Sequence, residues 1–212
     1  MPRRVFASLL VAALLPAVAT APAAVAKTRT GPAGLAFYTP PSPLPGAKHG
    51  DLIWSRKLTG AAALKSARSN RLVLYRSTGS DGSPIAVSGV VSIPKGKAPK
   101  KGWPVITYGH GTTGIADQCA PSRDAAGTSV HSYNDYVYPL LNRWLKAGYA
   151  VVRTDYQGLG TPGAHEFLNG AEEGRAMLDM ARAARKLDRS LSKTLEIAGH
   201  SQGGHAALWA AS

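Results

Sequence analysis

Apolar positions change their rhythm along the chain, and the change falls near Trp103. Upstream, Arg71-Leu-Val-Leu-Tyr-Arg76 and Ile85-Ala-Val-Ser-Gly-Val-Val-Ser-Ile93 are short apolar runs rich in β-branched residues, the pattern of strands. Ser80-Asp-Gly-Ser83 between them is a turn signal and predicts an antiparallel hairpin. Downstream, strands alternate with helices. Val105–Tyr108, Tyr149–Thr154 and Lys193–Ala198 read as strands. Tyr136–Leu145 places Val137, Leu141, Trp144 and Leu145 on one helical face. Ala171–Leu187 reads as a helix with Gly174, Met177, Leu178, Ala181 and Ala184 inward, and Glu172, Arg175, Asp179, Arg182 and Lys186 outward. Such alternation predicts an α/β domain: a hairpin leading into a parallel sheet with helices on its faces.

The first 70 residues read differently. Met1-Pro-Arg-Arg4, an apolar run from Val5 to Val18 and small residues ending Ala24-Val-Ala26 describe a secretory signal peptide over 1–26, with Ala17-Val-Ala19 as a second exit. The run is too short to span a bilayer, and no other segment reaches spanning length, so no transmembrane segment is expected. Residues 27–70, rich in Pro, Ala and Gly, read as an extended lead-in, leaving 71–212 as the folded domain. Formal charge is +13, or +11 without Arg3 and Arg4. The basic residues are scattered, and the dense cluster Lys95-Gly-Lys-Ala-Pro-Lys-Lys101 reads as a solvated loop between strands, so nucleic acid is not the expected partner. Contact with an anionic lipid interface is a secondary reading of the same charge. No feature of the chain specifies an oligomeric state.

The chemistry concentrates at Gly199-His-Ser-Gln-Gly203, a G-x-S-x-G pentapeptide between the last strand and the helix-favouring Gly204-His-Ala-Ala-Leu-Trp-Ala-Ala211. Strand, sharp turn and helix make a nucleophile elbow, with Ser201 presented outward in a strained conformation. Gly199 and Gly203 stand where neighbouring backbone leaves no room for a side chain. The helix N-terminus offers the Gln202 N–H to a developing oxyanion. The loop Gly109-His-Gly-Thr-Thr-Gly114 after the first parallel strand supplies the second donor, with Thr112 first and Gly111 next. A serine turn after the third parallel strand, behind such a hairpin, is the order of an α/β-hydrolase core.

Four motifs in order resemble a known family: Gly109-His-Gly-Thr-Thr-Gly114, Cys119-Ala-Pro-Ser122, Asp155-Tyr-Gln-Gly-Leu-Gly-Thr-Pro-Gly163 and Gly199-His-Ser-Gln-Gly-Gly204 look like the secretory, lipase A-type lipases of the α/β-hydrolase superfamily. The resemblance covers roughly residues 50–212. It implies Ser201 as nucleophile, oxyanion donors at Gln202 and in the loop after His110, and a carboxylic ester or triacylglycerol as substrate. It also implies a disulfide from Cys119, the one cysteine of the chain, to a cysteine beyond the nucleophile. The family's acid, histidine and cap would lie downstream as well, so the chain is expected to be a core truncated after the elbow. A secreted serine esterase or lipase is the expected function; a non-catalytic remnant or binding module, and an acyltransferase, are the alternatives.

The remaining candidates point elsewhere. Of the six histidines, only His205 follows Ser201, and four residues along a helix it points along that helix. His110 and His200 read as braces, Asp155 as a tie for the loop that follows it, and His165-Glu166 as a solvated pair. Gly158-Leu-Gly-Thr-Pro-Gly163 fits the spacing of a dinucleotide fingerprint, but Pro162 and the stretch to Gly170 delay the helix such a loop must open. Neither a cofactor nor a metal is expected, since the histidines and carboxylates show no ligand spacing.

Overall fold

β-branched runs and amphipathic helices assemble here into one sheet covered on both faces. The computed structural model describes Met1 and residues 29–212; apart from Met1, the expected signal segment lies outside the described residues. The strands are β1 (Leu52–Lys57), β2 (Ala67–Thr78), β3 (Pro84–Pro94), β4 (Trp103–Gly109), β5 (Ala150–Thr154) and β6 (Leu191–Gly199). They lie in the order β1-β2-β3-β5-β4-β6. β1 through β3 and the β3/β5 contact are antiparallel, whereas β4 runs parallel to both β5 and β6. The hairpin forms as its turn signal predicts: the Asp81 carboxylate accepts the Ser83 N–H at 2.8 Å and Gly82 adopts φ 81°.

The lead-in holds more structure than its composition indicated. Leu52–Lys57 is a sheet strand, paired with β2 through a bulge between Leu52 and Trp54. Gly34–Tyr38 forms a 3-10 turn that buries Phe37 and Tyr38 against Ile53, Leu72 and Leu74. The Trp54 indole N–H donates to the Phe37 carbonyl at 2.9 Å, tying turn to strand.

Four helices follow: α1 (Ser132–Asp135), α2 (Tyr138–Lys146), α3 (Gly170–Leu187) and α4 (Gln202–Ala211). Alternation along β5 decides which helix each residue meets. Val151 packs with Leu141 and Leu145 of α2, while Val152 packs with Met180, Ala181 and Ala184 of α3. The alanines of α3 let that helix lie close to the sheet; Ala176, Ala181, Ala183 and Ala184 are wholly buried. Among the described residues, no helix is long and apolar enough to cross a membrane.

Two expectations for α3 are corrected. Glu172 and Asp179, expected outward, are buried, whereas Arg175, Arg182 and Lys186 face solvent as expected. Asp179 is drawn in by hydrogen-bond donors: Ser77 Oγ at 2.9 Å, Arg182 Nη1 at 2.6 Å and His49 Nδ1 at 2.8 Å. Glu172 accepts the Gln157 N–H at 3.0 Å, and its other oxygen has no partner among the described residues. Burial therefore pushes the Glu172 carboxyl up to about 8, with the Gln157 N–H opposing. A carboxyl whose folded pKa exceeds its unfolded value, near 4.5, favours folding below that value, and the advantage is lost as pH rises through about 8. Between about pH 5 and about pH 9, wild type should lose stability relative to Glu172→Gln in chemical denaturation. Parallel pH profiles for the two would refute the assignment.

Candidate active site

The tightest point of the molecule is where β4, β6 and α4 meet. A Cβ on Gly199 would overlap the carbonyl of Gly203, and one on Gly203 would overlap the carbonyl of Gly109. A Cβ on Gly109 would come within 3.0 Å of Gly203 Cα and 2.7 Å of the Tyr156 hydroxyl. Only hydrogen fits at these three positions. Between them the chain reverses: the Gly203 N–H donates to the His200 carbonyl at 2.8 Å, and Ser201 takes φ 53° and ψ −121°. A non-glycine residue at that φ is strained by about 1–2 kcal/mol, held there by the crossing around it.

Ser201 opens onto a cleft of about 300 Å³ lined also by Gly111, Thr112, Ser132, Tyr133, Tyr136 and His200. The structure thus brings Ser201, Thr112 and Gly111 together around one cleft. The Gln202 N–H is the first of α4 and, like that of Thr112, donates to no acceptor among the described residues. Two unpaired amides beside one hydroxyl, one of them at a helix N-terminus, form a place where negative charge on oxygen would be stabilised.

The Gln202 side chain takes a different path. It is buried, and its Nε2 donates to Glu173 Oε1 at 2.6 Å, 3.0 Å from His165 Nε2. Glu173, wholly buried, also accepts the Leu168 N–H at 3.2 Å and lies 3.4 Å from His205 Nδ1. His165 accordingly is no solvated partner of Glu166: it stacks on Tyr156 and reaches the Gln157 carbonyl at 3.0 Å. Sequence reasoning missed Glu173, although its spacing to Met177 and Met180 places it on the buried stripe of α3. Tyr136 was missed too; its hydroxyl lies 2.8 Å from His200 Nδ1 at the rim of the cleft.

The other histidines are engaged away from Ser201. His49 is bound to Asp179, and His131 to Asp124 at 2.9 Å. His205 accepts the Trp209 indole N–H at 3.1 Å along its own helix. His110 braces its loop through the Gly111 carbonyl at 2.7 Å, and burial lowers its pKa to about 4, which keeps it neutral. Asp155 is buried, which raises its pKa. It ties segments that precede it, not the following loop, accepting Ser88 Oγ at 2.7 Å and the Ser122 N–H at 2.9 Å. Cys119 is a buried free thiol among Tyr156, Leu159 and Met177. The Gly158–Gly163 segment is a loop, and α3 begins only at Gly170.

A hairpin feeding parallel strands, a glycine-flanked strand-to-helix turn after β6 and a glycine-rich loop after β4 define the α/β-hydrolase core. Residues 125–212 match the family model described as secretory lipase. The chain is 33% identical over 184 residues to a lipase A of Moesziomyces aphidis, covering 83% of this chain and 38% of that protein. A secreted triacylglycerol lipase of Malassezia globosa is 30% identical, with the same coverage. Among solved structures, Candida antarctica lipase A superimposes with a TM-score of 0.72 at 28% identity, over 82% of this chain and 40% of that one. The rice cell wall degrading esterase LipA of Xanthomonas oryzae gives 0.61 at 31% identity, over 77% and 45%. The resemblance to secretory, lipase A-type lipases therefore holds in sequence and in fold, and the chain spans about two fifths of the length of the relatives it matches.

Two substitutions test the elbow. Gly203→Ala should destabilise the fold by more than about 3 kcal/mol, because backbone and not a flexible side chain occupies the space. Ser201→Gly should raise stability by about 1 kcal/mol through relief of the positive φ. Thermal unfolding of both variants reads the result, and a Ser201→Gly variant less stable than wild type would contradict the strain.

Proposed function

We propose that Ser201 is the nucleophile of an exported carboxylic-ester hydrolase. The observation that carries this reading is the φ of 53° at Ser201 beside the unpaired Gln202 amide. The Ser201 hydroxyl attacks the ester carbonyl, and the Gln202 and Thr112 amides hold the oxyanion. The alcohol leaves, and water releases the acyl group from the serine. No histidine is hydrogen-bonded to the Ser201 hydroxyl among the described residues, and His200, which lines the cleft, has its Nδ1 on the Tyr136 hydroxyl, so this reading takes the base from outside these 212 residues. Lipid or other carboxylic esters are the substrate class that the relatives' names support. Export is supported by the sequence of residues 1–26 and by the secreted relative.

The same histidine positions favour a second reading for the polypeptide by itself, an elbow without turnover. Loss of a triad partner costs roughly 10⁴- to 10⁶-fold in rate. The 212-residue chain should therefore hydrolyse a p-nitrophenyl ester no faster than its Ser201→Ala variant. Joined to the C-terminal portion of the Moesziomyces aphidis lipase, it should react with a fluorophosphonate at Ser201, and Ser201→Ala should abolish labelling. Labelling at another residue would overturn the nucleophile, and Ser201-dependent turnover by the 212-residue chain would place the base within it.

A further inference from the structure

A second cavity lies away from the elbow and shares no lining residue with the Ser201 cleft. It is formed where the 3-10 turn Gly34–Tyr38, the end of β1, β2 and the segment Gln118–Val130 converge. Its volume is about 370 Å³, within the roughly 300–1,000 Å³ of small-molecule sites. Leu58, Leu72 and Val130 supply an apolar wall, and Tyr38 with Ser122 supplies a polar one. The Tyr38 and Ser122 hydroxyls are 2.9 Å apart and both residues are buried.

Two arginines, Arg56 and Arg123, line this space. Arg123 lies with its Cζ 5.5 Å from the centre of the Tyr38 ring, and Arg56 with its Cζ 5.9 Å from that of Phe37. Arg56 Nη1 also donates to the Pro32 carbonyl at 2.8 Å. Aromatic stacking fixes where both cations sit, but it does not neutralise them. Among the described residues neither has a carboxylate within 4.0 Å, in contrast to Arg182, which is paired with Asp179. Asp117 lines an adjoining opening that Tyr38 and Arg123 also line, but it stands beyond ion-pair distance from Arg123. Two unneutralised, pre-positioned forks beside an apolar wall match an oxyanion head carrying a hydrocarbon tail, because a planar guanidinium binds carboxylate oxygens in pairs.

We propose that this cavity binds a medium-chain carboxylate, its head between Arg56 and Arg123 and its chain against Leu58, Leu72 and Val130. The site takes a free acid and does no chemistry on it. It does not depend on Ser201 acting as a nucleophile, so the test reads binding and not turnover.

Isothermal titration of the 212-residue chain with decanoate measures it, with decanol, acetate and inorganic phosphate as comparison ligands. Decanoate should bind, and decanol and acetate should each bind at least roughly tenfold more weakly, since each lacks one half of the recognition. Arg56→Met and Arg123→Met should each lower decanoate affinity roughly tenfold or more, with Arg123→Lys retaining part of it. Leu58→Trp, which fills the cavity, should abolish binding, whereas Ser132→Trp, which fills the Ser201 cleft, should leave it unchanged. Thermal unfolding of each variant separates lost binding from lost folding. Equal binding of decanol, phosphate binding without decanoate binding, or loss on Ser132→Trp in place of Leu58→Trp would each overturn the proposal.

Discussion

The arrangement around Ser201 depends on one steric constraint: three backbone segments cross at van der Waals contact, and only glycine fits at Gly109, Gly199 and Gly203. The parallel pairing of β4 and β6 brings Gly109 opposite Gly199. The start of α4 then folds back over both, so that Gly203 meets the Gly109 carbonyl. With β6 ending and α4 beginning within three residues, Ser201 has no lower-energy conformation compatible with both ends, and the positive φ follows. The same crossing sets the loop that leaves β4 beside the serine, and the His110 side chain braces it there through the Gly111 carbonyl, so that Gly111 and Thr112 reach the cleft.

Behind the elbow, buried polar groups hold what the crossing leaves free. Glu173 receives the Gln202 side-chain Nε2 and the Leu168 N–H, and His165, from the loop before α3, meets the same Nε2. A carboxylate removed from water is tolerated only where donors converge on it, and leaving those donors unpaired costs about 1–3 kcal/mol each. Glu172, one residue earlier, receives a single N–H and is raised by burial to about 8. Neighbouring glutamates on one helix thus hold different places in the fold, decided by the number of donors that each one meets.

Much of this was legible from residue pattern. The hairpin, the alternation after Trp103 and the elbow with its two glycines follow from local signals: turn residues, periodicity, and a strand–turn–helix flank. What escaped was tertiary. Glu172 and Asp179 look like solvent-facing charges on a helical wheel, but α3 is covered on more than one side, and the partners that draw them in lie far away in sequence at Gln157, Ser77 and His49. β1 escaped because its burial alternates while its polarity does not: Ile53 and Ser55 point inward, and the apolar Leu52 and Trp54 stand on the less buried face. His165 looked solvated because nothing local announces Tyr156 beneath it or Gln202 beside it.

The elbow's geometry and its chemistry have separable causes. Positive φ at Ser201, the open amide of Gln202 and the approach of Thr112 come from backbone crossing and helix start, all of them set by residues 103–211. Proton transfer needs something different: an imidazole with one free nitrogen over the serine and a carboxylate behind the other. His200 is next to Ser201 in sequence, yet its Nδ1 meets the Tyr136 hydroxyl, and no carboxylate is bonded to its ring. His165 and His205 approach the elbow from behind, where they serve Gln202 and Glu173. A fold of this kind can therefore expose a strained serine without setting an imidazole over it. The serine's exposure reflects sheet topology, and the reactivity proposed for it is a separate property that this topology does not by itself confer.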